Sequence, residues 1–473
     1  MTYKNTSIHK TTLRMKKLCL LASLLIFSAA LVYSQNTVLL SLNEAIAYAK
    51  ANNADLVNAE LGIENSKQEV KSVIASGLPQ VTASANFTHN LTIASTQLPD
   101  FISPTVYSVL INEGVLTPDK FRVGQPQTVQ FGAPSSLTGS VNLSQFVFDG
   151  TYFMGLRSAK HYVHLSELIK ANTEVELVEK IKKAYYGSLI TKQNFNLLKD
   201  NLTILEKTQA ETKALLKSGF AEQLDVDRLS LAISNIQTQI NNLSYQQQIM
   251  NYVLKVVMGM DVNTAIELTG RIDESLLQPR LMDEFNAKNR TEYQLLNQQL
   301  LLDSLNIKRY KVGYYPSLTL NANYQQNSFA SSAPFNELGN IWNPGSMYSF
   351  NLNIPIFDGF YKQSKISQAR LKFEMDKNTF DATLNAMMME VEQAKLNVRI
   401  QSNNLRNQID SRALAKSIYQ TTKTKFEAGM SSSFELIQAQ NDLSRADIDH
   451  SNALYQLIVA QIELETALGS SNK

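Results

Sequence analysis

Residues 78–87 read Leu78-Pro79-Gln80-Val81-Thr82-Ala83-Ser84-Ala85-Asn86-Phe87, and residues 315–324 read Tyr315-Pro316-Ser317-Leu318-Thr319-Leu320-Asn321-Ala322-Asn323-Tyr324. The second stretch repeats the first at an offset of 237: a proline, then apolar and small polar side chains in alternation. Working outward, Phe148-Asp149-Gly150 recurs as Phe357-Asp358-Gly359 at an offset of 209. Gly219 and Asp225 recur as Gly429 and Glu435, and Val257-Met258-Gly259 as Ala467-Leu468-Gly469, both at 210. Landmarks repeated in one order mark an internal duplication. The drop from 237 to 209 places about 28 extra residues in the first half, within residues 96–134, a Pro- and Gly-containing stretch that reads as a long loop.

Within each half the periodicity switches. From Val81 to Ile93 the odd positions are Val81, Ala83, Ala85, Phe87, His89, Leu91 and Ile93, and the even ones are small and polar. A period of two describes a strand with one apolar and one polar face. Strands are expected at about 80–95 and 136–148, and again at about 317–327 and 346–356, with Pro355 ending the last. Between them lie stretches nearly free of Gly and Pro, giving long helices at about 151–217 and 361–427 and return helices at about 221–258 and 433–468. A 65-residue helix is a rod of ~100 Å. Shorter helices are expected at 42–75 and 291–312. Ile366, Ala369, Phe373, Phe380, Leu384, Met387, Val391, Ala394 and Val398 recur at spacings of three, four or seven, a coiled-coil-like seam.

The N-terminal 34 residues carry Lys4, Lys10, Arg14, Lys16 and Lys17, no acid, and an apolar run from Leu18 to Val32. This is the pattern of a secretory signal peptide, expected at 1–34, with cleavage after Ser34 and Met15 as an alternative start. The run is shorter than the ~20 apolar residues of a spanning helix. Cys19, the only cysteine, opens that run, so the mature chain is expected to carry no thiol, disulfide or lipidated cysteine. Without the five basic residues, 39 Lys and Arg face 42 Asp and Glu, a net charge of −3 that offers no nucleic-acid footprint. His161 and His164 lie three apart on one helical face, but no third ligand is near them. No Ser/His/Asp set, phosphate-binding glycine loop or metal cluster is legible, so neither catalysis nor a cofactor is expected. Aromatic residues gather at the strand ends: Phe146, Phe148, Tyr152, Phe153, Trp342, Phe357, Phe360 and Tyr361. They suit an interfacial girdle or the packing of strands on helices.

Four strands cannot close a barrel in lipid, where each unsatisfied backbone group costs several kcal/mol and barrels begin at about eight strands. Three copies supply twelve, and the same rotation gathers the helices into a hollow cylinder. A strand pair, Phe-Asp-Gly, a very long helix, a Gly-bearing turn and a return helix ending near Leu-Gly, all twice, resembles the TolC-like outer-membrane efflux protein family. The resemblance implies an α+β membrane protein in which a long α-helical coiled-coil barrel continues a transmembrane β-barrel. It also implies a homotrimer in outer-membrane lipid that extends into the periplasm. That channel would passively export small molecules or proteins, working with a periplasmic adaptor and an inner-membrane pump. The first repeat would span 35–260 and the second 261–473. In that family the turns between long and return helices form the periplasmic tip, here Gly219 with Phe220 and Gly429 with Met430, where the adaptor docks. Phe148, Asp149 and Gly150, with Phe357, Asp358 and Gly359, would mark the junction of barrel and tunnel. The positions matching the family's closed gate are Phe426, Ser431, Glu435, Gln438 and Asp225. Only Asp225 and Glu435 keep an acid, so one Glu435 ring is expected to narrow the axis and favour cations. An acid in a helix's first turn also complements the macrodipole, worth ~0.3–1 kcal/mol, which alone would account for both.

A periplasmic adaptor and a structural coiled-coil protein are the rival readings. A periplasmic adaptor resembles one central hairpin between β-rich modules, whereas this chain alternates strands and helices twice. A structural coiled-coil protein leaves the alternating strands without a purpose.

Overall fold

The computed structural model describes residues 37–122, 124–270, 272, 284–330 and 341–470. The expected signal peptide, with Cys19, lies outside the described residues. In chain order come β1 (Val38–Leu40), α1 (Leu42–Asn52), α2 (Ala54–Ser76), β2 (Gln80–His89), β3 (Ser95–Leu98), α3 (Ile102–Asn112), β4 (Gln127–Gln130) and β5 (Ser135–Phe148). Then follow α4 (Gly150–Lys217), α5 (Gln223–Met258), β6 (Ile266–Leu268), α6 (Thr291–Val312), β7 (Ser317–Ala330), β8 (Asn343–Asn353), α7 (Tyr361–Glu427) and α8 (Ser433–Ala467). Contacts divide the chain into two compact units, one of residues 64–164 and 298–377, the other of 1–63, 165–297 and 378–473.

The first unit carries a four-stranded antiparallel sheet in the order β2-β5-β7-β8. Its register gathers most apolar side chains on one face, with Gln145, Ser346, Gln326 and Ser328 among them. Ala83, Val141 and Tyr324 share one face with Val81, Leu143, Ala322 and Tyr348, and with Leu320 and Phe350. The other face carries Thr82, Asn142, Asn323 and Met347, then Ser84, Ser140, Gln325 and Gly345. Hydroxyls and carboxamides are joined across this face: Ser84 Oγ to Ser140 Oγ at 2.9 Å, Asn323 Nδ2 to Asn142 Oδ1 at 2.6 Å, and Thr138 Oγ1 to Asn327 Oδ1 at 2.8 Å. None of these four strands contains Asp, Glu, Lys or Arg.

Three strand expectations shift. β2 stops at His89 instead of running to about 95. Its partner chain is kinked there by Gly132, at a φ of 138°, and by Pro134, which has no N–H to donate. Pairing restarts between β3 and β4, which are antiparallel. β7 runs on to Ala330, and β8 begins at Asn343 and ends at Asn353, about three residues earlier than expected. Pro344 is tolerated inside β8 because β8 is an edge strand. The insert is no bare loop either. It holds that strand pair and α3, at whose start Asp100 Oδ1 accepts from Ser103 N at 2.8 Å while Oδ2 accepts from Gly124 N at 2.8 Å.

The second unit is helical, with a small parallel pair, β1 on β6, that the alternation test missed because each strand is three residues long. One core joins Leu177, Ile181, Tyr185 and Leu189 of α4 to Leu254 and Met258 of α5 and to Ala45 and Ala49 of α1. Its counterpart joins Val391, Val398 and Leu405 of α7 to Leu454, Leu457 and Leu464 of α8. The duplication therefore extends to packing. The single helix expected at 42–75 is two, broken at Asn53. That side chain accepts from Asp55 N at 2.9 Å and Leu56 N at 3.2 Å, capping α2, and donates to Val257 O at 2.9 Å. Gly259, at a φ of 71°, ends α5 against this break, where an added Cβ would lie 2.5 Å from Asn52 O.

Candidate functional site

Both long helices end in the same way. Phe220 N donates to Leu215 O at 2.9 Å after Gly219, which has a φ of 78°. Met430 N donates to Lys425 O at 2.8 Å after Gly429, at a φ of 73°. These are Schellman-type closures in which the left-handed residue is glycine because it has no Cβ to clash. Each is followed by an apolar side chain thrust into solvent, Phe220 82 % exposed and Met430 74 % exposed. Phe426 is half-buried one turn back from the second closure.

The return helices start with the acids singled out by sequence. Asp225 is the third residue of α5, and its Oδ2 accepts from Glu222 N at 3.2 Å in a capping box. Glu435 is the third residue of α8; its N–H donates to the Ser432 cap at 3.2 Å, and its carboxylate accepts from the Ser431 hydroxyl. Within one chain both acids thus serve their own helix starts. Gln438 donates to Asp442 Oδ1 at 3.0 Å and does not join Glu435.

What ties the two turns together is a residue the sequence reading missed. Ser433 is 3 % exposed and donates its hydroxyl to Asp225 Oδ1. The Arg228 guanidinium lies 5.4 Å from the centre of the Phe434 ring, a second link between α5 and α8. Beneath them Leu205 of α4 and Leu229 and Ile236 of α5 form a small core with Ile437 of α8 packed against it. The register of the repeat held a clue, since Ser433 stands two residues before Glu435, but nothing in one dimension says that α5 and α8 touch.

At the strand-to-helix junctions the two Phe-Asp-Gly copies differ. Asp149 Oδ1 accepts from Thr151 N at 2.7 Å and Tyr152 N at 3.2 Å, so α4 starts at once on Gly150. In the second copy Gly359 and Phe360 both take positive φ, 64° and 66°, before α7 begins, and Asp358 accepts from Lys362 N at 3.1 Å. Phe357 is exposed, as are Phe148 and Phe360. His161 is engaged by Gln298, whose Nε2 donates to the His161 carbonyl at 2.8 Å. Among the described residues no group of three metal-ligating side chains occurs, and no helix is long and apolar enough to cross a membrane.

The chain resembles known proteins along most of its length. It is 20 % identical over 343 residues to outer membrane protein TolC of Vibrio cholerae serotype O1, covering 71 % of this chain and 77 % of that one. It is 21 % identical over 354 residues to the probable efflux pump outer membrane protein TtgC of Pseudomonas putida, covering 72 % and 71 %. The solved structure of the outer membrane protein VceC of Vibrio cholerae matches its fold with a TM-score of 0.67 at 14 % identity, over 90 % of this chain and 96 % of that one. One family model, described as "Outer membrane efflux protein", matches residues 45–260 and again residues 295–470. The two matches fall one in each half of the duplicated plan, and the rival readings as an adaptor or a coiled-coil protein are not favoured. This chain belongs to the outer membrane efflux protein family, the TolC-like channels of the outer membrane.

Proposed function

We propose that three copies close into a twelve-stranded barrel continued by a helical tunnel, and that the paired turns at Gly219 and Gly429 form its gated inner end. The observation that carries this reading is the sheet: one face mainly apolar, the other mainly polar and without Asp, Glu, Lys or Arg, and β2 and β8 left as open edges. An amphipathic sheet with open edges is unstable in lipid and becomes stable when the edges of neighbouring copies pair. Exposed apolar side chains on the helices support the same rotation. Met389, Leu396, Ile400, Leu414 and Ile418 of α7, and Leu224, Leu231, Ile249, Val253 and Val256 of α5, recur along one side of each helix and face solvent in the single chain.

An uncharged barrel lining leaves ion selection to the turns. Three Glu435 carboxylates around a narrow axis attract cations. Asp225, Ser431, Phe426 and Gln438 shape the surround, with fewer acids than the family pattern. Phe220 and Met430, both exposed, provide the apolar contacts for a periplasmic adaptor fed by an inner-membrane pump, and the Phe-Asp-Gly copies seat the barrel on the tunnel. The chain is a passive duct, so the cargo is selected by the pump. Native mass spectrometry of the detergent-extracted outer-membrane protein tests the assembly. Three copies are expected; a monomer or dimer that still conducts in planar bilayers refutes the barrel.

A further inference from the structure

Asp303 lies on α6 and Asp376 on α7, both in the unit that carries the sheet and both outside the strands. Asp303 is 9 % exposed. Its Oδ1 accepts from Gln299 Nε2 at 3.2 Å, and Oδ2 is buried with no donor. Asp376 Oδ1 takes the Lys372 ammonium at 2.5 Å, and its Oδ2 is likewise buried with no donor. Two carboxylates that face each other with one bare oxygen apiece repel when both are ionised, and one proton between them satisfies both. The repeat sharpens the point. Ser66 stands at the place equivalent to Asp303 at the offset of 237, so the first half has no such acid there.

We propose that Asp303 and Asp376 form a proton-binding site that clamps α6 to α7, held shut by one shared proton and loosened when that proton leaves. A divalent cation is a poor alternative occupant, because Lys372 already neutralises half of the pair's charge and no third carboxylate or His completes a metal set among the described residues. The charged groups acting on Asp303 are Asp376 and Lys372, both from α7. Burial, with the neighbouring Asp376 carboxylate, pushes the Asp303 pKa up to about 6, while the Lys372 contact holds Asp376 below the ordinary range. The rise is roughly a hundredfold in proton affinity over a free aspartate. Because the folded-state pKa is raised, the clamp contributes fully below about pH 4 and is lost as the pH climbs through about 6.

The test uses the full-length protein in detergent, titrated from about pH 4.5 to 8 and followed by the infrared band of a protonated carboxyl. Nitroxide labels at Leu301→Cys and Glu374→Cys, both exposed positions, report the spacing of α6 and α7 in parallel. We expect the carboxyl band to vanish with a midpoint near 6 and the label distances to broaden with the same midpoint. Asp303→Asn, whose amide can donate to Asp376 as the shared proton does, should abolish both transitions. Asp376→Asn, which offers Asp303 an amide donor, should abolish the step near 6 as well. A carboxyl that titrates near 4, or a step near 6 that persists in Asp303→Asn and Asp376→Asn, overturns the proposal.

Discussion

Ser433→Ala removes the one hydroxyl that joins the two turns and touches little else. Ser433 is buried, and its bond to Asp225 is charge-assisted, a class worth about 1.5–3 kcal/mol. Asp225 is only half-buried, so water can take up part of the lost bond, and its capping of Glu222 N survives. The net cost is therefore about 1–2 kcal/mol per subunit, a factor of roughly 5–30 in the balance between joined and parted turns. If the three subunits part together, the factors multiply. The Arg228 contact with Phe434, about 0.5–1 kcal/mol at an exposed site, remains and keeps the helices in register. In planar bilayers the variant should show a higher open fraction, and in solution faster proteolytic nicking at the 219 and 429 turns. Ser431→Ala is the internal control, since its bond to Glu435 lies within one turn and joins nothing across the pair. Equal behaviour of Ser433→Ala and the unmodified protein, or of Ser433→Ala and Ser431→Ala, would refute the reasoning.

Other outcomes follow from the same geometry. Glu435→Gln should reduce cation preference in single-channel reversal potentials, because the strands carry no charge to supply it; unchanged selectivity would remove Glu435 from the gate. Gly259→Ala and Gly219→Ala both place a Cβ on a left-handed backbone, a strain of about 1–2 kcal/mol, but only at 259 does the Cβ also meet main chain, 2.5 Å from Asn52 O. Thermal unfolding should therefore show the 259 variant clearly the less stable, and equal midpoints would argue against the packing of α5 on the Asn53 break.

The alternation in residues 81–87 and 318–324 was legible in the sequence because a strand's period of two depends only on local backbone geometry. The same holds for the long helices, where tens of residues without Gly or Pro leave few alternatives. Helix ends at Gly219 and Gly429 were legible too, since glycine is needed wherever the chain turns left-handed. Short elements were not: β1 and β6 are three residues each and exist only because they pair with each other. Nor was the end of β2, set by Gly132 and Pro134 just ahead of the strand opposite.

By itself, then, the sequence determined the doubled plan, the sorting of each strand into a polar and an apolar face, and the positions of both turns, all properties of spacings along one chain. Only the tertiary structure decided which residues meet. It put Ser433 on Asp225, 208 positions apart, and Asp303 opposite Asp376, because helix adjacency is chosen by side-chain packing over long loops and leaves no periodic trace. Asp225 and Glu435 are also held at their own helix starts, Asp225 by accepting from Glu222 N and Glu435 by accepting from the Ser431 hydroxyl.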